Sequence, residues 1–111
     1  MRPTKAIIHL DNLAHNINEI KKKLPRDVAI CLAVKAEGYG HGALQSSVTA
    51  IRNGVTHLAV ASVQEGIELR NAGIIAPIIC LSIPNLDEAK TIIENNISPI
   101  IADEEFITCL L

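Results

Sequence analysis

One lysine in this chain stands where an amine could meet a carbonyl. Lys35 closes an apolar run, Val28 to Val34, and Ala36-Glu37-Gly38-Tyr39-Gly40-His41-Gly42 follows at once. In parallel α/β folds, ligands meet the protein at the carboxyl ends of strands. A lysine placed there can attack a carbonyl or an aldehyde. Glycines let the following backbone turn sharply and approach a ligand closely. Tyr39 is the only tyrosine, and a phenol can donate a hydrogen bond. Each feature also has an ordinary explanation: a solvated lysine at a strand end, a common Gly-rich turn, a tyrosine packed under that turn. Their occurrence together in one short stretch is what points to chemistry. His41 could line such a site, but a structural role beside the next helix is the simpler reading. His9, His15 and His57 have no metal-ligand spacing, and no metal site is expected.

The elements that must position this stretch alternate strand and helix. A short strand is expected over Ala6 to Leu10. Asp11 can then cap a helix whose apolar positions Leu13, Ile17, Ile20 and Leu24 recur at helical spacing before Pro25 stops it. Val28 to Val34 predicts the first strong parallel strand. A helix begins near Gly42, with Leu44, Val48 and Ile51 on one face and Gly54 closing it. The cycle repeats: a strand over Thr56 to Ala61, then Ser62 and Glu65 as a capping box opening a helix that Gly73 ends. Ile78 to Ile83 predicts a strand, Asn85 with Glu88 a second capping box, and Ser98 to Ala102 a fourth strand. Asp103 can cap a last helix. Repeated strand–helix units argue for a parallel sheet covered by helices.

Alternation along the first strong strand sorts its side chains. If Lys35 points toward a barrel axis, so do Ala29, Cys31 and Ala33, leaving Val28, Ile30, Leu32 and Val34 to face helices. Small residues inside and branched ones outside suit a wall with room for a ligand. Arg70 and Glu68, on a helix outside that wall, read as a solvated face, as do Lys21, Lys22 and Lys23.

Composition narrows the function further. The 111 residues suffice for one core, and 49% of them are hydrophobic. A net charge of −2 with interspersed signs, and Tyr39 and Phe106 as the only aromatics, leave neither a basic stripe nor stacking platforms for nucleic acid. The most apolar stretch, Gly73 to Pro84, is short and interrupted by Pro77, so no membrane span is expected. No N-terminal run resembles a secretory signal. Cys31, Cys80 and Cys109 lie in apolar runs without a C-x-x-C pair, which fits buried, reduced thiols in a cytoplasmic protein.

Val34-Lys35-Ala36-Glu37-Gly38-Tyr39-Gly40-His41-Gly42 closely resembles the cofactor-lysine motif of the alanine racemase family, pyridoxal-phosphate enzymes of fold-type III. Ile8 to Asn16 resembles the family's opening segment. Glu65 to Ile74 with Ala76-Pro77-Ile78 resembles its middle segment, and the three matches fall in the family's order. The resemblance implies an α/β fold: a partial (β/α)8 TIM barrel comprising about the first four βα units. Residues 1–111 would be the N-terminal part of the cofactor-binding barrel domain, and the family's strand-rich C-terminal domain would lie outside them. An eight-unit barrel takes roughly 250 residues, so the expectation is a fragment from a truncated gene, a split gene or a shortened chain.

The same resemblance implies the cofactor pyridoxal 5'-phosphate, held at its aldehyde as a Schiff base by Lys35, which also serves as acid/base on one face. It implies Tyr39 as a phosphate ligand, alanine as substrate, D-alanine for peptidoglycan as product, and a homodimer. Glu37 departs from the usual aspartate or asparagine. The family's second acid/base tyrosine and the arginine at the pyridine nitrogen belong to segments this sequence does not include. The 111 residues alone are therefore expected not to racemise alanine at a useful rate. Serine or a broader amino-acid set remains open as substrate. The alternatives in other classes are a non-catalytic barrel that binds pyridoxal phosphate, and a relic or split subunit that needs a partner chain.

Overall fold

Four short strands lie in parallel, side by side in the order in which they follow along the chain. The computed structural model describes residues 3–111. Helix α1 (Leu10–Lys22) precedes β1 (Cys31–Ala33), and a single turn, α2 (Lys35–Tyr39), follows it. Then come α3 (Ala43–Arg52), β2 (His57–Val60), α4 (Val63–Asn71), β3 (Ile78–Cys80), a 3-10 turn over Leu86–Glu88, α5 (Ala89–Glu94), β4 (Ile97–Ser98) and α6 (Glu104–Leu110). Successive strands that are spatial neighbours and joined through helices form one continuous βα wall. Sheet order and connectivity are those of four successive units of a (β/α)8 barrel, as the sequence predicts.

Register sorts the side chains into two faces. Leu32, Leu58, Ile78 and Ile97 stand side by side across the four strands. They pack against the helices, with Leu58 and Ile78 fully buried. Val60, Cys80, Val63, Leu69 and Ile92 extend this core. The next rank, Ala33, Ala59, Ile79 and Ser98, lies on the opposite face. That face carries mostly small residues, as the alternation in β1 predicts.

Local signals set several helix ends. The Ser62 hydroxyl accepts from the Glu65 N–H at 3.2 Å, and Asp103 Oδ1 accepts from the Phe106 N–H at 2.8 Å. Asn85 and Glu88 form a full capping box, Glu88 Oε1 accepting from the Asn85 N–H at 2.9 Å. Gly54 and Gly73 follow helix ends at φ 102° and 99°, where a left-handed residue closes the last turn.

Several expectations are corrected. Ala6 to Leu10 is not a strand: residues 6–9 belong to no ladder, and Leu10 already opens α1. A strand needs a neighbour to take its backbone groups, and among the described residues none lies alongside. Asp11 does not cap α1; His9 holds that position, and Asp11 lies in the first turn. The strands are shorter than the apolar runs, because the ladder starts at Cys31 rather than Val28 and stops before Lys35. Arg70 is no solvated side chain. Its guanidinium donates to the carbonyls of Asn95 (2.8 Å), Ile74 (2.9 Å), Ala76 (2.8 Å) and Asn96 (2.9 Å). It thereby ties the end of α4 to the segments that enter β3 and β4.

Candidate functional site

The Lys35 backbone is held on both sides. Before it, the Val34 N–H donates to the Ala59 carbonyl at 2.8 Å, the last bond between the ends of β1 and β2. After it, the Ala36 N–H donates to Glu65 Oε2 at 2.8 Å. The side chain is half-buried, and the amine lies 6.0 Å from the centroid of the Tyr39 ring. That is at the edge of cation–π contact. The ion pairs among the described residues join Lys22 to Glu19 and Lys90 to Glu94, and neither occupies Lys35.

The turn after Lys35 is left-handed. Ala36, Glu37 and Tyr39 have φ of 51°, 56° and 57°, and Gly38 and Gly40 have φ of 65° and 86°. The Gly38 N–H donates to Val34 O at 2.8 Å and the Gly40 N–H to Ala36 O at 3.2 Å. For residues with a Cβ this conformation costs roughly 1–2 kcal/mol each, so three of them store a sizeable strain. Such strain survives only where surrounding contacts over-determine it, and it clusters at ligand sites. Gly38 adopts this φ without a Cβ penalty, and a Cβ there would sit tightly against Ala43 N, at 3.3 Å.

Two carboxylates and an imidazole brace the turn. Glu65 reaches it as described and also accepts from the Ala61 N–H through Oε1 at 2.6 Å. The expected capping box is therefore half made: Ser62 caps, but Glu65 turns toward the strand ends. Glu37 Oε1 accepts from the Ala43 N–H at 3.1 Å. Its extra methylene gives α3 a capping acceptor that Gly42, at the N-cap, lacks. His41 Nδ1 donates to the Gly38 carbonyl at 3.0 Å, so its role includes holding the turn.

A cavity of about 460 Å³ opens beside this turn, bounded by Gly38, Tyr39 and His41 on one side and by Asn12, Asn16 and Ser46 on the other. It runs along the outer edge of β1, the free edge of the sheet, and Lys35 stands outside its lining. Its volume is that of an ordinary small-molecule pocket. Ser46 is buried, and its hydroxyl has no partner among the described residues. Tyr39 is 58% exposed, so its hydroxyl is open to a ligand rather than packed beneath the turn. Among the described residues no three His, Cys, Asp or Glu side chains group as metal ligands. No described helix is long and apolar enough to cross a membrane.

Glu65 is the site residue that sequence reasoning missed. Its position three residues after Ser62 carries a capping-box signal, and that local signal hid a contact spanning 29 residues. A parallel βα wall with a braced lysine turn at its carboxyl rim defines the class: part of a (β/α)8 barrel.

Comparison with known proteins makes the family specific. The family described as "Alanine racemase, N-terminal domain" matches residues 8–110, and the chain belongs to that family. It is 61% identical over 110 residues to an alanine racemase of Treponema denticola, covering 99% of this chain and 29% of that protein. An alanine racemase from E. faecalis superposes with a TM-score of 0.93 at 36% identity, covering 98% of this chain and 29% of that one. A Bacillus anthracis alanine racemase, solved with bound L-Ala-P, superposes with a TM-score of 0.88 at 34% identity, covering 91% and 26%. The chain thus spans less than a third of the length of these relatives.

Proposed function

We propose that residues 1–111 supply the amine-bearing part of an alanine racemase site, working with pyridoxal 5'-phosphate once the other strands and the second domain are joined to it. The observation that carries the reading is Lys35. It stands at the carboxyl rim of β1, anchored through its neighbours' backbone on both sides, with its amine beside Tyr39 and no carboxylate partner among the described residues.

These residues fit the cofactor. An amine at the rim suits its aldehyde, and a half-exposed phenol with three glycines around it suits a phosphate that needs a donor and close backbone approach. When bound, pyridoxal phosphate supplies an electron sink that makes the α-proton of an amino acid removable. Lys35 would hold the aldehyde carbon and, released from it, move the α-proton on one face. Tyr39 would donate its O–H to a phosphate oxygen. Racemisation also needs a proton donor on the opposite face, and no residue of this chain is assigned to that role.

The test is a graft. This chain replaces the matching 110 residues of the Treponema denticola racemase, and both directions of alanine racemisation are measured. The graft should racemise alanine, and Lys35→Ala should lower the rate by about 10²–10⁴-fold or more, the range for loss of a positioned acid/base. A graft that racemises equally well without Lys35 contradicts the reading.

A further inference from the structure

We propose that Glu65 is a positioning residue for Lys35, acting as a two-pronged clamp across the carboxyl ends of β1 and β2. The inference rests on the reading of Lys35 as the reacting amine. One carboxylate oxygen accepts from the Ala36 N–H and the other from the Ala61 N–H. Ala36 follows Lys35 directly, and Ala61 follows the last residue of β2. The last ladder bond between these strands, Val34 to Ala59, lies just before Lys35. Beyond it the two backbones diverge, β1 into the left-handed turn and β2 into α4, and their next N–H donors find no carbonyl opposite. A carboxylate is suited to that gap because it accepts at both oxygens and its charge strengthens each bond.

Clamping has a direct consequence for the lysine. Ala36 is the first residue of the turn with positive φ, at 51°. An alanine released from its partner there relaxes toward the right-handed or extended regions. Such relaxation would swing the Lys35 Cα–Cβ bond away from its present direction. A helix-end role could account for the contact with Ala61, next to the N-cap, but not for the contact with Ala36, 29 residues away in sequence.

The experiment uses the same graft and compares Glu65→Ala, Glu65→Gln and Ser62→Ala. Amide hydrogen exchange is read at Ala36 and Ala61, with the Val34 amide as internal reference. Borohydride trapping of pyridoxal phosphate on Lys35 is read by peptide mass. Glu65→Ala should speed exchange at Ala36 and Ala61 together and slow trapping by about 10²-fold, the cost of a misplacement near 1 Å. Glu65→Gln, which keeps one acceptor, should fall between. Ser62→Ala weakens the same helix end and should leave trapping on Lys35 unchanged. Should Glu65→Ala fail to fold, Glu65→Gln against Ser62→Ala decides the matter by the same two readings. Unchanged exchange at Ala36 and Ala61, or equal trapping defects in the Glu65 and Ser62 variants, overturns the clamp. The exchange readout does not depend on catalysis, so a graft that exchanges as expected but never racemises indicts the functional reading and leaves the clamp standing.

Discussion

Tyr39 is the residue whose role can be isolated from the fold. Its ring is 58% exposed, so removing the hydroxyl disturbs little packing. A hydrogen bond to a charged phosphate contributes about 1.5–3 kcal/mol. Tyr39→Phe in the graft should therefore weaken pyridoxal phosphate binding roughly tenfold to a hundredfold, as read by titrating the absorbance of the bound cofactor. Unchanged affinity would mean that the phenol does not touch the phosphate. Lys35 and Tyr39 were legible as candidates because a lysine after an apolar run and a lone tyrosine among glycines are local features. The conformation joining them was not. Only glycine and, less often, Asn or Asp enter the left-handed region routinely, so Ala36 and Glu37 gave no hint of φ near 50°. Contacts with Glu65, Ala43 and His41 hold them there, and such contacts exist only once the chain has folded.

Among the elements, the helices were easier to read than the strands. Ser62, Asn85 and Asp103 act through atoms three residues away, and Gly54 and Gly73 through their own φ, so these boundaries follow from sequence. Strand extent depends on the neighbour. Ala6 to Leu10 has the composition of a strand but no adjacent ladder, and Val28 to Ile30 precede the paired residues of β1. Arg70 shows the same dependence: on a helical wheel it faces out, yet it donates to four carbonyls at the entry to β3 and β4. Partial burial lowers its pKa from the ordinary value, but a guanidinium remains charged throughout the useful pH range. Its fork geometry is not one a lysine reproduces. Arg70→Ala should cost about 1.5–3 kcal/mol, as expected for hydrogen bonds from a charged group, and Arg70→Lys should recover little, both read by urea unfolding of the graft. Full recovery by lysine would show that charge, not the fork, holds those loops.

As a whole molecule the chain is a slab. Its radius of gyration is 15.9 Å, with extents of 48 × 46 × 22 Å, whereas a compact domain of 100 residues has a radius near 13 Å. The outer edges of β1 and β4 have no strand partner among the described residues, and Leu81, Ile83, Ile100 and Ile101 are exposed. Unpaired edges and bared apolar surface favour association. Cys31 reports on the sheet face that carries Ala33. Cys31 and Cys109 are exposed, not buried as their apolar runs suggest, because no further element covers them among the described residues, while Cys80 is buried in the core. Partial desolvation raises the Cys31 thiol pKa from its ordinary value even though the residue is exposed, so less thiolate is present near neutral pH and labelling lags behind a free cysteine. In the isolated chain Cys31 should label slowly with a maleimide and faster as pH rises, with Cys80 resistant. In the graft, where further strands cover the face, Cys31 should become protected. Equal labelling of Cys31 in both would mean that this face is not the interior of a barrel.

The central claim is that the Lys35 amine captures the aldehyde of pyridoxal phosphate, and borohydride reduction followed by peptide mapping of the graft tests it most directly. The account predicts one pyridoxyl mark, on the peptide containing Lys35, at cofactor concentrations that leave Lys21, Lys22 and Lys23 unmodified. Label spread over the exposed lysines, with Lys35 unmarked, would contradict it.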